Sequence, residues 1–469
     1  MAYRMGNSPH TVSIDILDDD SLLNIFYLYR PLPSGEGDDE KRLLGGNEGW
    51  DHVHWWYKPA HVCQRWRNLI LGSASYLGLC LLCTFGTPVA DMLAHSPLLP
   101  LVIFYDSDVG AKDEEGLIIA LEQRDRVRRI RLRMNISKLQ ELIMAVSGEY
   151  LILEYLVISI PNPSPDLSLM LPETLQAPHL RHLLLSGFSL PIGSRLLTTA
   201  VGLVSFSLII TNLSTYLQPN TLLQWISFMP QLETLTIYSD AIDIERQPTH
   251  VPIVTLPNLR WFWFQGSNAY LERVVRQVTT PRLERLQIFF FEQYYFSVPR
   301  LSQFINTTKN LRFSNATLGF CHDQVDVGMY PREEADMSQS LHIRIPSKYT
   351  EFRVSAVAEV SNSLSQVFSA VEHLTLKYEF DLLSLYVIDR KEWHKILRSF
   401  SNVKTLRVSD EFVEILSRCL RSDDGELPLD LLPELHELIY SKSRDTDDLF
   451  TSFINARQNA GRPITLVHL

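Results

Sequence analysis

The 469 residues carry 54 acidic against 43 basic side chains, a net charge of -11, and 45% are hydrophobic while 21% are charged. That balance supports a packed core and excludes a disordered chain, and the acidic excess argues against general nucleic-acid or anionic-membrane binding. Five scattered cysteines (Cys63, Cys80, Cys83, Cys321, Cys419) and no apolar segment after Arg4 in the first ten residues predict a reducing, intracellular setting, cytoplasmic or nuclear.

After a tail over 1–14, Asp18, Asp19 and Asp20 supply an acidic helix start. Leu22, Leu23, Ile25, Phe26 and Tyr29 follow at helical spacing, and Pro31 and Pro33 end the run. Residues 34–49, rich in Gly and charge, read as an exposed loop. Trp50, Trp55 and Trp56 resume the apolar content. Pro59 is then expected as the first residue of a helix carrying Val62, Cys63, Trp66, Leu69 and Ile70 on one face and stopping at Gly72. From Leu69 to Ala90 no formal charge occurs. The length would cross a bilayer, but Gly72, Ser73, Ser75, Gly78, Gly86 and Pro88 dilute it, which favours a buried helix end running into a buried strand. Taken by periodicity alone, the two helices could equally be local core.

The aliphatic helix (Leu17, Leu22, Leu23, Ile25, Phe26), the interval and HVCQRWRNLI (His61 to Ile70), with Val62, Cys63, Trp66 and Arg67 its most specific part, resemble the F-box. Closest are the expanded F-box families of mushroom-forming fungi, and the resemblance covers most of the chain. It implies an all-α three-helix hook over 15–95 that docks on a Skp-type adaptor and, through it, on cullin and RING subunits of a ubiquitin ligase. By position, Leu17, Leu22, Ile25, Phe26, Val62, Trp66 and Leu69 would face the adaptor or form the core of the hook.

Beyond residue 96 the chain repeats. An apolar residue, two variable ones, an apolar, a variable and an apolar recur from Val127, Leu153, Leu180, Leu203, Leu232, Leu259 and Leu283 at intervals of 23 to 29 residues, and again from Val371, Val403 and Leu435. The period lies in the leucine-rich-repeat range. Alternation makes a short strand with one apolar face, and no unit buries that face alone, so neighbours must stack. The expectation is an α/β fold: the F-box, then an irregular leucine-rich-repeat solenoid with parallel strands over 96–469. Residues 306–370 read as an irregular stretch, with 313–339 an interrupting loop and Leu341 to Ile345 one further strand of unplaced register. The tail reads as a cap, with a helix over Asp447 to Asn459 and a strand over Ile464 to Val467.

On the concave face of such a solenoid, Arg129, Arg131 and Arg133 point outward in the first unit. They could grip an acidic or phosphorylated segment, but a solvated edge pairing with Asp113, Glu114 and Glu115 is favoured. Tyr238, Trp261, Trp263 and Phe289, with Arg285 beside them, are the candidate target-binding patch, since aromatic and Arg side chains anchor interfaces. The other reading is that a loop or the C-terminal tail covers them.

No nucleotide loop, zincin, serine-hydrolase or kinase motif occurs. Cys80 and Cys83 make a lone C-x-x-C expected as buried thiols, and the His52, His54, His61 and Cys63 group is not spaced for a metal. The sequence therefore predicts no enzyme, no metal and no cofactor, and the F-box resemblance implies a receptor that presents a target protein. A leucine-rich interaction scaffold outside any ligase is the alternative.

Overall fold

The computed structural model describes residues 14–31, 53–84, 87–106, 114–161, 169–189, 193–210, 217–239, 252–291, 297–321, 323–331, 339–346, 350–378, 390–420, 430–440 and 449–468. The expected loop over 34–49, Trp50, His52 and Asp113 lie outside them. Two compact units, 1–158 and 159–469, divide the chain. The boundary expected near residue 95 falls inside the first.

In the first unit, helix α1 (Asp19–Tyr29) starts where Asp18 Oδ1 accepts a hydrogen bond from Ser21 N at 2.7 Å. Its buried residues are Leu22 and Phe26, and the Phe26 ring meets Trp66 edge-on at 4.9 Å. Trp66 lies on helix α2 (Gln64–Gly72), which buries Ile70. The single helix expected from Pro59 to Gly72 is in fact broken. A turn over Tyr57–Ala60 ends, and Cys63 adopts an extended backbone (φ -156°) as the N-cap of α2. Its Sγ accepts from Trp66 N at 3.5 Å, so Cys63 is exposed and not on an apolar face. A further turn, Ala74–Leu77, ends at Gly78 with φ +63°, a left-handed conformation that only glycine adopts without strain.

Four strands then run in the order β1 (Leu81–Thr84), β2 (Leu101–Asp106), β3 (Val127–Arg133), β4 (Tyr155–Ser159). β1, β2 and β3 are parallel. The uncharged stretch from Leu69 thus ends α2 and enters a buried strand, and among the described residues no helix is long and apolar enough to cross a membrane.

The second unit is a mixed α/β array with mostly parallel strands. Strands β5 (His182–Ser186), β6 (Ser205–Ile210), β7 (Thr234–Ser239), β8 (Trp261–Gly266) and β9 (Arg285–Phe290) lie side by side in sequence order, all parallel. Each repeat places its first apolar residue at the turn before the strand. Leu203, Leu232, Leu283, Val371, Val403 and Leu435 are all buried. Each donates its N–H to the carbonyl three residues back, at 3.0 to 3.3 Å. The next two apolar residues fill the core side, as Leu235 and Ile237 do beside Phe262 and Phe264. Burial of one such side chain stabilises by roughly 1.5–3 kcal/mol, so each unit depends on its neighbours to close the face.

The stretch expected as an interrupting loop is instead a pair of strands, β10 (Asn315–Phe320) and β11 (Gln324–Tyr330), followed by β12 (Leu341–Pro346). Both junctions are antiparallel, and the order is reversed: β9 pairs with β12, then come β11 and β10, and β10 pairs in parallel with β13 (His373–Tyr378). The sheet is therefore not parallel throughout. A short insert cannot make the crossover that parallel pairing needs, so the chain doubles back twice and regains its direction. β14 (Thr405–Val408), β15 (Glu437–Tyr440) and β16 (Thr465–His468) complete the series in parallel.

Connecting helices return the chain on the buried side. In α3 (Asn268–Val275), Glu272 accepts from Arg300 N and Leu301 N, both at 2.8 Å, at the start of α4 (Pro299–Thr307). The N-cap of α4, Val298, has no side-chain acceptor of its own. One repeat's side chain thus caps the next repeat's helix. At the C-terminal end, Arg457 of α5 (Thr451–Asn459) is 1% exposed. It donates to the carbonyls of Leu432, Pro433 and Leu435 at 3.0 to 3.1 Å.

Candidate functional site

Two surfaces stand out, one in each unit. In the first, α1 turns Leu22 and Phe26 inward and leaves an apolar stripe outside. Leu28 is 81% exposed, Tyr29 58% and Ile25 45%, and Val62 and Ile16 are also exposed. Of the seven residues singled out in sequence, Leu22 and Phe26 hold the helices together, Ile25 and Val62 are exposed, and Leu17, Trp66 and Leu69 are half-buried. Leu28, the most exposed, escaped sequence reasoning, although it lies one turn beyond Ile25. Arg65 ties the module across, donating from Nη2 to Leu17 O at 2.6 Å and to Asp19 Oδ1 at 2.7 Å. This ion pair is well exposed and contributes little stability. Its value is in orienting α1.

The second surface is the outer face of the strands, the side chains that alternate with the buried rows. Trp261 and Trp263 lie on it, opposite Arg285 and Gln287 of β9. The Trp263 ring packs on Phe289 at 5.4 Å, and Tyr238 meets Phe291 at 5.7 Å. All four candidate aromatics are half-buried, and Arg285 is exposed. The indole N–H groups of Trp261 and Trp263 are buried and reach no acceptor among the described residues. Buried indoles ordinarily find one, so fold stability alone does not account for Trp over Phe here.

The irregular stretch adds what sequence reasoning missed. β12 sets His342 and Arg344 beside Phe289, and β11 sets Asp326 beside Arg344. His342 Nε2 lies 2.9 Å and Arg344 Nε 2.8 Å from Asp326 Oδ1, while Gln324 donates to Oδ2 at 2.9 Å. The Arg344 guanidinium covers the Phe289 ring at 4.8 Å, and His342 meets the same ring edge-on. Burial pushes the Asp326 carboxyl up, but hydrogen bonds from His342 and Arg344 and the nearby positive charge outweigh it and hold it below its usual value. The result is an aromatic floor with a guanidinium held over it by the Asp326 carboxylate. Only the alternation of LHIRI hinted at the positions of His342 and Arg344.

The arginine strand β3 lies inside the sheet, between β2 and β4, and its charges are partly tethered. Arg128 Nε donates to Glu154 Oε2 at 2.8 Å, and Arg133 pairs with Asp106 at 3.8 Å. Glu114, expected among the partners of this strand, binds Lys138. Burial raises the Cys80 thiol and pushes Cys83 up to about 12, which keeps both protonated and unreactive at neutral pH. Among the described residues no group of three His, Cys, Asp or Glu side chains could hold a metal ion. Compared with known proteins, the chain matches no family model and no curated protein.

Proposed function

We propose that the chain is the substrate-recognition subunit of an SCF-type cullin-RING ubiquitin ligase. The N-terminal helices dock on a Skp-type adaptor, and the outer strand face of a leucine-rich-repeat-like body holds the target protein. The observation that carries the reading is the apolar stripe of α1. Ile25, Leu28 and Tyr29 stand in water on a helix whose other face is already packed, and an exposed apolar face of this kind marks a docking surface. The fungal F-box resemblance points to the adaptor as its occupant. Catalytic groups for ubiquitin transfer then belong to partner subunits, and this chain contributes binding and positioning.

Co-purification with the host's Skp-type adaptor tests the reading. Wild-type chain should capture adaptor stoichiometrically, and Ile25→Glu with Leu28→Glu should abolish capture while leaving the fold intact, because neither side chain is buried. Absence of capture by folded wild-type protein would favour an interaction scaffold outside any ligase.

A further inference from the structure

We infer that the outer face between β9 and β14 recognises an acidic, extended segment of the target protein, one that carries an apolar or aromatic side chain next to its carboxylates. The inference deepens the reading of this face as a target-binding surface and is independent of adaptor docking.

Three observations converge. The first is charge. The chain as a whole is at -11, yet this face carries exposed Arg285, Lys377 and Arg407, none of them in an ion pair among the described residues, together with Arg344. Asp326, in the middle of it, is engaged by His342 and Arg344. Cations left outside ion pairs on one face favour partners of opposite charge.

The second is shape. Gly319 of β10 is flanked by Asp326 on one side and Lys377 on the other. Gly319 is itself buried, but it brings no side chain, so the row from Arg344 and Asp326 to Lys377 is interrupted at this strand and a Cβ there would meet only Asp326 atoms at 3.9 Å. Those two cations are three strand steps apart, on the order of 14 Å, which suits two carboxylates separated along an extended peptide. The third is the aromatic floor of Trp263 and Phe289 next to Arg344, which would take the apolar side chain. Cations beside aromatic rings also suit single-stranded nucleic acid. A protein segment is favoured because Asp326 sits in the middle of the patch and the overall charge repels polyanions at long range.

The test is selection of a random twelve-residue peptide display library on the full-length chain. The expected result is several-fold enrichment of Asp and Glu beside Phe, Tyr, Leu or Ile. Binding of the selected peptides should fall about tenfold or more in Lys377→Glu with Arg407→Glu, and should weaken as salt rises. Gly319→Leu, which inserts a side chain between Asp326 and Lys377 without changing charge, should also reduce it. Enrichment of basic or uncharged sequences, no enrichment, or binding unchanged in both variants would overturn the inference. Displacement of the peptides by a twelve-nucleotide oligo-dT at lower concentration than by the acidic peptide itself would overturn it in favour of nucleic acid. If the adaptor is captured but acidic peptides are not, the target class is wrong while the receptor reading stands. The reverse outcome would leave a peptide-binding scaffold.

Discussion

Replacing Arg457 by Met should loosen the C-terminal end of the second unit by about 3 kcal/mol. The side chain is 1% exposed, and its guanidinium serves the carbonyls of Leu432, Pro433 and Leu435. Leu432, itself at φ 49°, keeps a second donor in Leu435 N at 3.0 Å, so Met would strand chiefly the Pro433 and Leu435 oxygens. A buried acceptor left without its donor costs about 1–3 kcal/mol. Two of them give about 2–6 kcal/mol. Burial depresses the affinity of Arg457 for its proton, which shows that the charge is held at some cost, so relief of that cost places the net effect in the lower half of the range. A chain of two units need not unfold in one step, so native-state amide exchange is the suitable assay. Amides of β15 and β16 should exchange about a hundredfold faster in Arg457→Met, with those of β5 to β9 unchanged. Arg457→Lys should resemble Met, since one ammonium cannot span three carbonyls. Exchange within threefold of wild type in Arg457→Met would mean that the guanidinium does not hold this end of the unit together.

Three further outcomes follow from the same contacts. Trp263→Phe removes an indole N–H that reaches no acceptor and should leave the midpoint of urea unfolding unchanged or slightly raised, whereas Trp263→Ala, which strips the ring from Phe289, should cost about 2–4 kcal/mol. Glu272→Ala should cost about 1–2 kcal/mol, the range for loss of a helix N-cap, with faster exchange at Arg300 and Leu301 distinguishing it from a general loss of packing. The Asp326 carboxyl is depressed in the fold, so its contribution is complete above the unfolded value and is lost as pH falls through the folded one. Below about pH 4, wild type should lose stability relative to Asp326→Asn in paired acid titrations followed by circular dichroism, and parallel curves would contradict that account of the cluster.

The regular repeats were legible because their chemistry is local. An apolar residue closes a turn and two more alternate into the core, so Leu232, Leu235 and Ile237 announce β7 without help from the rest of the chain. The same alternation exposes Trp261, Trp263 and Phe289 to the outer face. In β10 and β11 the alternation is also present, as Ala316, Leu318, Phe320 and Val325, Val327, Met329. Gly319, Gly328 and the polar run between them read as turn signals, and tertiary pairing overrode those local preferences. The partners of Phe289 were hidden for a different reason: β12 inserts next to β9 out of sequence order, and no spacing rule brings Asp326 and Arg344 to a residue in β9. The break at Cys63 was hidden as well, because helical spacing continues across it from Val62 to Trp66 while the backbone at Cys63 is extended.

Amide exchange of the full-length chain with and without purified Skp-type adaptor tests the docking claim most directly. Strong new protection should appear across α1 and the first turns of α2, be lost in Ile25→Glu with Leu28→Glu, and be absent from the second unit. Protection absent from α1, or confined to the strands of the second unit, would contradict it.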